Sequence, residues 1–242
     1  VGGRMAMITS ATGSTALLMT GLVASGEALG EGRGLSLLLV AGLLTGVLQI
    51  LWGYLRLGYQ MRFVPQGVLS GFVNALALLI LQAQFKHLGL GGGHGGGETA
   101  SLIPHGSQIP IVWGMVLVGL VIIYGLPRLT KVIPAQLVAI VLLTVTSIGL
   151  NRLNLNVPTV SSLGQLPTGL PGLHNPFGAD GVPFNLDTFG LVLPTALAIS
   201  LVGLMETFLT QDILDDKTDT TTNKNVEARG QGIANIVASL FG

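Results

Sequence analysis

Cysteine is absent from this chain, which excludes a disulfide framework and cysteine-ligated metal. Charge is scarce: 9% of the 242 residues, against roughly a quarter in an ordinary soluble domain. An excess of either sign is missing too, with 11 Lys+Arg against 11 Asp+Glu. That excludes the basic footprint of a nucleic-acid binder. Low charge with 49% hydrophobic residues also excludes a disordered chain, which needs the reverse. Aromatics make up only 5%. What is present in excess is glycine, 36 residues, and apolar sequence, with a mean hydropathy of +0.71.

The few charges delimit the apolar runs. Residues 5–26, 34–55, 63–85, 99–127, 132–151 and 188–205 carry no Asp, Glu, Lys or Arg. A hydrocarbon core about 30 Å thick needs roughly 20 residues at about 1.5 Å rise each. Each run therefore has spanning length, and the chain reads as an all-α, multi-pass membrane protein. A soluble bundle would keep a polar stripe on each helix. Leu37-Leu38-Leu39-Val40-Ala41 covers every face of a turn and leaves none. A signal peptide is excluded by the number of such runs. A seventh, weaker segment covers 225–241, with Glu227 and Arg229 near its start. The chain starts one turn before one span and stops at the end of another, as a fragment of a larger protein would.

If each segment crosses once, Arg4, Arg56, Arg62, Arg128, Lys131, Lys217, Lys224 and Arg229 share one side. Arg33, Lys86 and Arg152 fall on the other. The cation-rich side is expected to be cytoplasmic, so the Arg56/Arg62 and Arg128/Lys131 loops face the cytoplasm of an inner-membrane protein.

Several features have plain readings. The glycine-rich stretch 89–97 contains a formal GxGxxG at Gly91, Gly93 and Gly96. No strand precedes it and no amphipathic helix follows, so it is not a nucleotide site, and His94 reads as a solvated loop residue. The loop 152–187 is proline-rich and is expected to pack over the outer face. Gly42/Gly46 and Gly67/Gly71 form small-xxx-small pairs that let helices approach. Gln49, Asn74 and Gln136 are expected to bond to neighbouring helices.

Two features carry chemistry. The first run opens poorly for a plain membrane helix. Residues 6–9 could be a short extended piece, and Ser10, Thr12 and Ser14 offer cap side chains around Gly13. The helix proper would cover 14–25, about 18 Å, little more than half a span. A half-helix starting at mid-membrane directs free N–H groups and a positive dipole end inward, where anions bind. Ser10, Ala11, Thr12, Gly13 and Ser14 are the candidate anion-binding residues. The second feature is Glu206, which follows 18 uncharged residues within a span. An intramembrane carboxylate is costly and points to function. Glu206 could hold Na⁺ or carry H⁺, with Thr210 one turn on at i+4. Asp212, Asp215 and Asp216 read as solvated helix-end residues. No other metal or cofactor is implied. An intramembrane hydrolase using Ser10 or Ser14 would need a base at membrane depth. His87, His94, His105 and His174 all fall in or beside outer loops, so the chain does not read as an enzyme.

Four stretches together resemble the sulfate permease (SulP) family of anion transporters, which includes cyanobacterial bicarbonate transporters. They are 7–18 with Ser-Ala-Thr-Gly-Ser, 67–82 with Gly-Val-Leu-Ser-Gly-Phe-Val-Asn onward to Gln82, 131–139, and Asn225-Val-Glu-Ala-Arg-Gly-Gln-Gly-Ile-Ala-Asn-Ile onward to Gly242. Many bacterial members have Gly-Pro-Thr-Gly where this chain has Ser10-Ala11-Thr12-Gly13. The resemblance implies part of a 7+7 inverted-repeat, uracil-transporter-like fold, here about the third to ninth membrane segments. Residues 1–60 and 188–242 would be core-domain segments, 61–151 gate-domain segments and 152–187 an outer loop. The first two spans, the tenth to fourteenth and a STAS domain would be absent. The implied activity is secondary transport of an inorganic anion, sulfate or bicarbonate, coupled to Na⁺ or H⁺ by core-against-gate alternating access, in a homodimer within the lipid bilayer. Alternatives are a nucleobase transporter of the same fold and a non-transporting structural membrane subunit.

Overall fold

The computed structural model describes residues 7, 13–30, 32–60, 66–90, 104, 106, 108–130, 132–159, 172–173, 177, 182–183 and 185–241. These residues form helices α1 (Gly13–Leu29), α2 (Arg33–Tyr54), α3 (Leu57–Gln60), α4 (Gln66–His87), α5 (Gln108–Leu129), α6 (Ala135–Arg152), α7 (Leu186–Thr218) and α8 (Lys224–Phe241). There is no strand among the described residues. The short extended piece expected over 6–9 lies outside them except for Met7. So do Ser10, Ala11, Thr12, Lys131, His94, His105, His174 and the glycines of the formal GxGxxG.

Among the described residues, four helices are long and apolar enough to cross a membrane: α2, α5, α6 and α7. The protein is a multi-pass membrane protein, as its composition requires. Within α4, the stretch Ser70–Phe85 is apolar. The helix limits differ from the charge-free runs where charge is not what starts or stops a helix. Within the run 99–127, helix α5 begins at Gln108, just after Gly106, whose positive φ (52°) is not helical. The run 188–205 continues as helix to Thr218, since Gln, Asp and Lys are acceptable helix residues once the chain leaves the apolar zone. α7 is thus 33 residues, roughly 50 Å, and Glu206 lies inside it. α1 has 17 residues rather than the 12 expected, running past Ser25 to Leu29. It stops at Gly30 (φ 152°). Glu27 then accepts hydrogen bonds from the backbone N–H groups of Gly32 and Gly34, each at 3.2 Å. The last turn of α1 so caps the start of α2, whose own N-cap, Gly32, has no side chain to do it.

The chain divides into two units, residues 1–77 with 169–242, and residues 78–168. In the first, α2 is the centre. It packs on α1, α7 and α8. Leu22, Leu37, Val40, Ala41, Val192 and Ala196 form one apolar core, and Leu204, Phe208 and Ala228 a second near Trp52 and Leu57. The α2–α8 crossing is made by small residues. A Cβ on Gly46 would fall 2.5 Å from the Gly232 carbonyl oxygen, and one on Gly53 2.5 Å from Arg229 Cγ. Small residues are what close approach of membrane helices requires, since lipid gives no hydrophobic drive between them. A Cβ on Gly67 or Gly71 would meet nothing within 4 Å among the described residues.

In the second unit α5 packs on α6, and both leave most of their apolar surface outward. Trp113 donates its indole N–H to the Leu88 carbonyl at 3.1 Å.

Candidate functional site

The first turn of α1 meets the middle of α7. Gly13 opens α1, and Ser14 and Thr15 are buried just inside it. Ser14 Oγ donates a hydrogen bond to Glu206 Oε1, across 192 residues of sequence. The half-buried carboxylate therefore stands beside the first turn of α1. A negative group is favoured there by the helix dipole.

Thr210, expected on the same face as Glu206, is exposed, and its hydroxyl donates to the Glu206 backbone carbonyl at 2.9 Å. The buried threonine is Thr207 instead. Its hydroxyl donates to Gln231 Oε1 of α8 at 2.9 Å. Next to it, Asn235 Nδ2 donates to Gln49 Oε1 at 2.7 Å. Gly203 leaves room where these amides meet: a Cβ there would lie 3.5 Å from Gln49 Nε2 and 3.7 Å from Gln231 Nε2. Trp52 Nε1 donates to Ser200 Oγ at 3.3 Å, and Thr45 Oγ1 to the Ala196 carbonyl at 3.3 Å. A polar seam thus joins α2, α7 and α8 behind the Glu206 face. Gln49 bonds to a neighbouring helix as its sequence position suggested.

The turn between α7 and α8 corrects the reading of its acids as solvated. Asp212 Oδ1 lies 2.6 Å from Lys224 Nζ. Asp215 accepts from the Thr222 backbone N–H at 3.0 Å and from the Thr222 hydroxyl at 2.9 Å. Gln211 donates to the same hydroxyl oxygen. Helix α7 outlasts its apolar part, so Asp212 and Asp215 meet the start of α8 as well as water. Asp216 is exposed, as expected.

Compared with known proteins, the whole chain, residues 1–242, matches the sequence profile of the sulfate permease family. The chain belongs to the sulfate permease family. This permease chain is 39% identical over 241 residues to a putative sulfate transporter of Bacillus subtilis, YbaR, covering all of this chain and 44% of that protein. It is 31% identical over 246 residues to the bicarbonate transporter BicA of Synechocystis, covering all of this chain and 42% of the other. It spans less than half the length of these relatives. Among solved structures it matches the transmembrane domain of a cyanobacterial bicarbonate transporter, BicA, with a TM-score of 0.72 and 28% identity, over 95% of this chain and 58% of that one. The helical membrane fold expected from the resemblance is the one observed. The relatives are transporters by name, in accord with a chain that is not an enzyme.

The sequence reading missed the Thr207–Gln231 and Gln49–Asn235 pairs in this permease. A signal was present. Gly42, Gly46, Gln49 and Gly53 are spaced four, three and four apart, and Ala228, Gly232, Asn235 and Ser239 four, three and four apart. Each set lies on one helix face, and two small-residue faces that each carry an amide invite each other.

Proposed function

We propose that the full protein is a secondary transporter of a small inorganic anion, sulfate or bicarbonate. The anion would sit on backbone N–H groups and hydroxyls around the start of α1, among Ser10, Ala11, Thr12, Gly13 and Ser14. Glu206 would bind Na⁺ or take up H⁺, with Thr210 holding the backbone of that turn. Residues 1–60 and 188–242 would move against 61–151 in an alternating-access cycle, in a homodimer, with the Arg56/Arg62 and Arg128/Lys131 loops on the cytoplasmic side of the inner membrane.

The observation that supports this reading most is the hydrogen bond from Ser14 to Glu206. It puts a carboxylate against the helix end that would hold the anion. Two unit charges about 4 Å apart interact by roughly 4 kcal/mol at an effective dielectric of about 20. An ionised Glu206 and a bound anion therefore oppose each other. Neutralising Glu206 with a proton, or pairing it with Na⁺, removes that repulsion. Cation and anion then bind better together than apart, which is the thermodynamic requirement of symport.

The test is uptake of radiolabelled sulfate and bicarbonate by the full-length protein in proteoliposomes, with and without a Na⁺ gradient and at several pH values. Thr12→Val should impair uptake of whichever anion is carried. Glu206→Gln should remove the cation dependence. Normal uptake in the first variant overturns the anion site, and unchanged cation dependence in the second overturns the coupling role. No flux of either anion under any gradient would favour a nucleobase transporter or a structural subunit.

A further inference from the structure

The Ser14 hydroxyl lies between the carboxylate of α7 and the turn of α1 assigned above to the anion. Ser14 is 4% exposed, and its Oγ donates to Glu206 Oε1. A serine hydroxyl has one proton and two lone pairs. Given to Glu206, that proton serves nothing else, and the oxygen offers lone pairs to whatever stands on its other side. Lone pairs disfavour an anion there.

Other charge is distant along these helices. α1 packs on α2 and α7. The charges on them besides Glu206 are Arg33 at the start of α2, Asp187 at the start of α7, and Asp212, Asp215, Asp216 and Lys217 near its end. Glu27 is the charge on α1 itself, at its far end. The state of Glu206 therefore decides where the Ser14 proton points. An ionised carboxylate holds it in a charge-assisted bond, the stronger kind.

A cation on Glu206 reverses the demand. Bound Na⁺, or the proton of the neutral acid, seeks an oxygen lone pair, and Ser14 Oγ supplies one. The Ser14 proton is then released to turn toward an anion at the same helix turn. The change is a rotation about the Cβ–Oγ bond; no covalent bond changes and no backbone has to move. We propose that Ser14 couples the two ions, its hydroxyl donating to Glu206 in the cation-free state and to the anion in the cation-loaded state. This inference rests on the assignment of Glu206 as the cation-binding group and of this turn as the anion site. It adds to the repulsion between Glu206 and an anion a second part that belongs to one side chain, which a substitution can remove while the charge stays.

The test is sulfate and bicarbonate uptake by the full-length protein in proteoliposomes, with Na⁺ varied at fixed pH and pH varied at fixed Na⁺. The half-saturating anion concentration is read at limiting and at saturating cation, and the ratio of the two values measures the coupling. Ser14→Ala should raise the value at saturating cation about tenfold or more, the worth of a hydrogen bond to a charged group. At limiting cation it should change little, so the ratio shrinks by the same factor. Ser14→Thr keeps the hydroxyl and should keep the ratio. The rise in Tm that sulfate gives in detergent, with and without Na⁺, makes the same comparison without transport. An unchanged ratio in Ser14→Ala, or an equal loss at both cation levels, overturns the proposal and leaves Ser14 as a support of the turn. No dependence on either cation in the unmodified protein overturns instead the coupling role of Glu206, and the proposal with it, before any variant is made.

Discussion

Gly46 of α2 and Gly232 of α8 stand back to back: a Cβ on either would fall 2.5 Å from the carbonyl oxygen of the other. The neighbour in each case is backbone, which cannot swing aside as a side chain can. Gly46→Val or Gly232→Val should therefore force α2 and α8 apart. Overpacking of this kind costs roughly 1–3 kcal/mol and more when backbone must move. The expected outcome is a clear fall in the apparent Tm of the full-length protein in detergent. Gly67→Ala, where the added methyl group meets none of the described residues within 4 Å, should lower Tm less and serves as the control.

The amide pair behind the Glu206 face makes a second prediction. Gln49 is 1% exposed, and its Oε1 accepts from Asn235 Nδ2. Gln49→Leu leaves that donor without its acceptor, at roughly 1–3 kcal/mol. Asn235→Leu in the same protein removes the orphan and should recover part of the loss. The interaction energy from the double-mutant cycle should be about 0.6–1.7 kcal/mol, the range for such bonds inside membranes. A cycle that closes to zero would mean that the two amides do not hold each other.

How much of this could be read from residue order alone depends on which force sets each feature. The limits of α2 were legible: the charge-free run 34–55 became Arg33–Tyr54, because both the membrane and the helix end where Arg33 and Arg56 stand. The start of α5 was not, because the non-helical Gly106 rather than a charge precedes it. The far end of α7 was not, because leaving the apolar zone does not end a helix. Glu206 stood out by its cost in an apolar run. Its partner Ser14, 192 residues away, could not be found by any local pattern. Thr210 was placed by helical spacing alone, and spacing does not say which way a neighbouring helix lies.

The α7–α8 turn separates two kinds of polar contact. The Asp212–Lys224 pair is half exposed at the carboxylate, and exposed ion pairs contribute up to about 1 kcal/mol, screened by salt. Lys224→Met should thus change Tm little, and less still at high ionic strength. Asp215 instead accepts both the backbone N–H and the hydroxyl of Thr222. Asp215→Ala leaves a backbone donor unpaired at the turn and should cost more, on the order of 1–2 kcal/mol, as for loss of a helix cap. The ranking of the two variants in thermal unfolding checks the assignment.

Glu27 tests the link between α1 and α2. Its carboxylate serves the Gly32 and Gly34 N–H groups in place of a cap side chain. Glu27→Ala should destabilise by about 1 kcal/mol. Because the start of α1 carries Ser14, any loosening of this turn reaches the Ser14–Glu206 contact through one rigid helix. Glu27→Ala should therefore weaken anion uptake, raising the half-saturating concentration while leaving the cation dependence in place. Glu27→Gln keeps an acceptor oxygen for one of the two donors and should be the milder change in both measurements. Equal uptake in the unmodified protein and Glu27→Ala, alongside a lowered Tm, would show that the turn supports the fold without setting the position of Ser14.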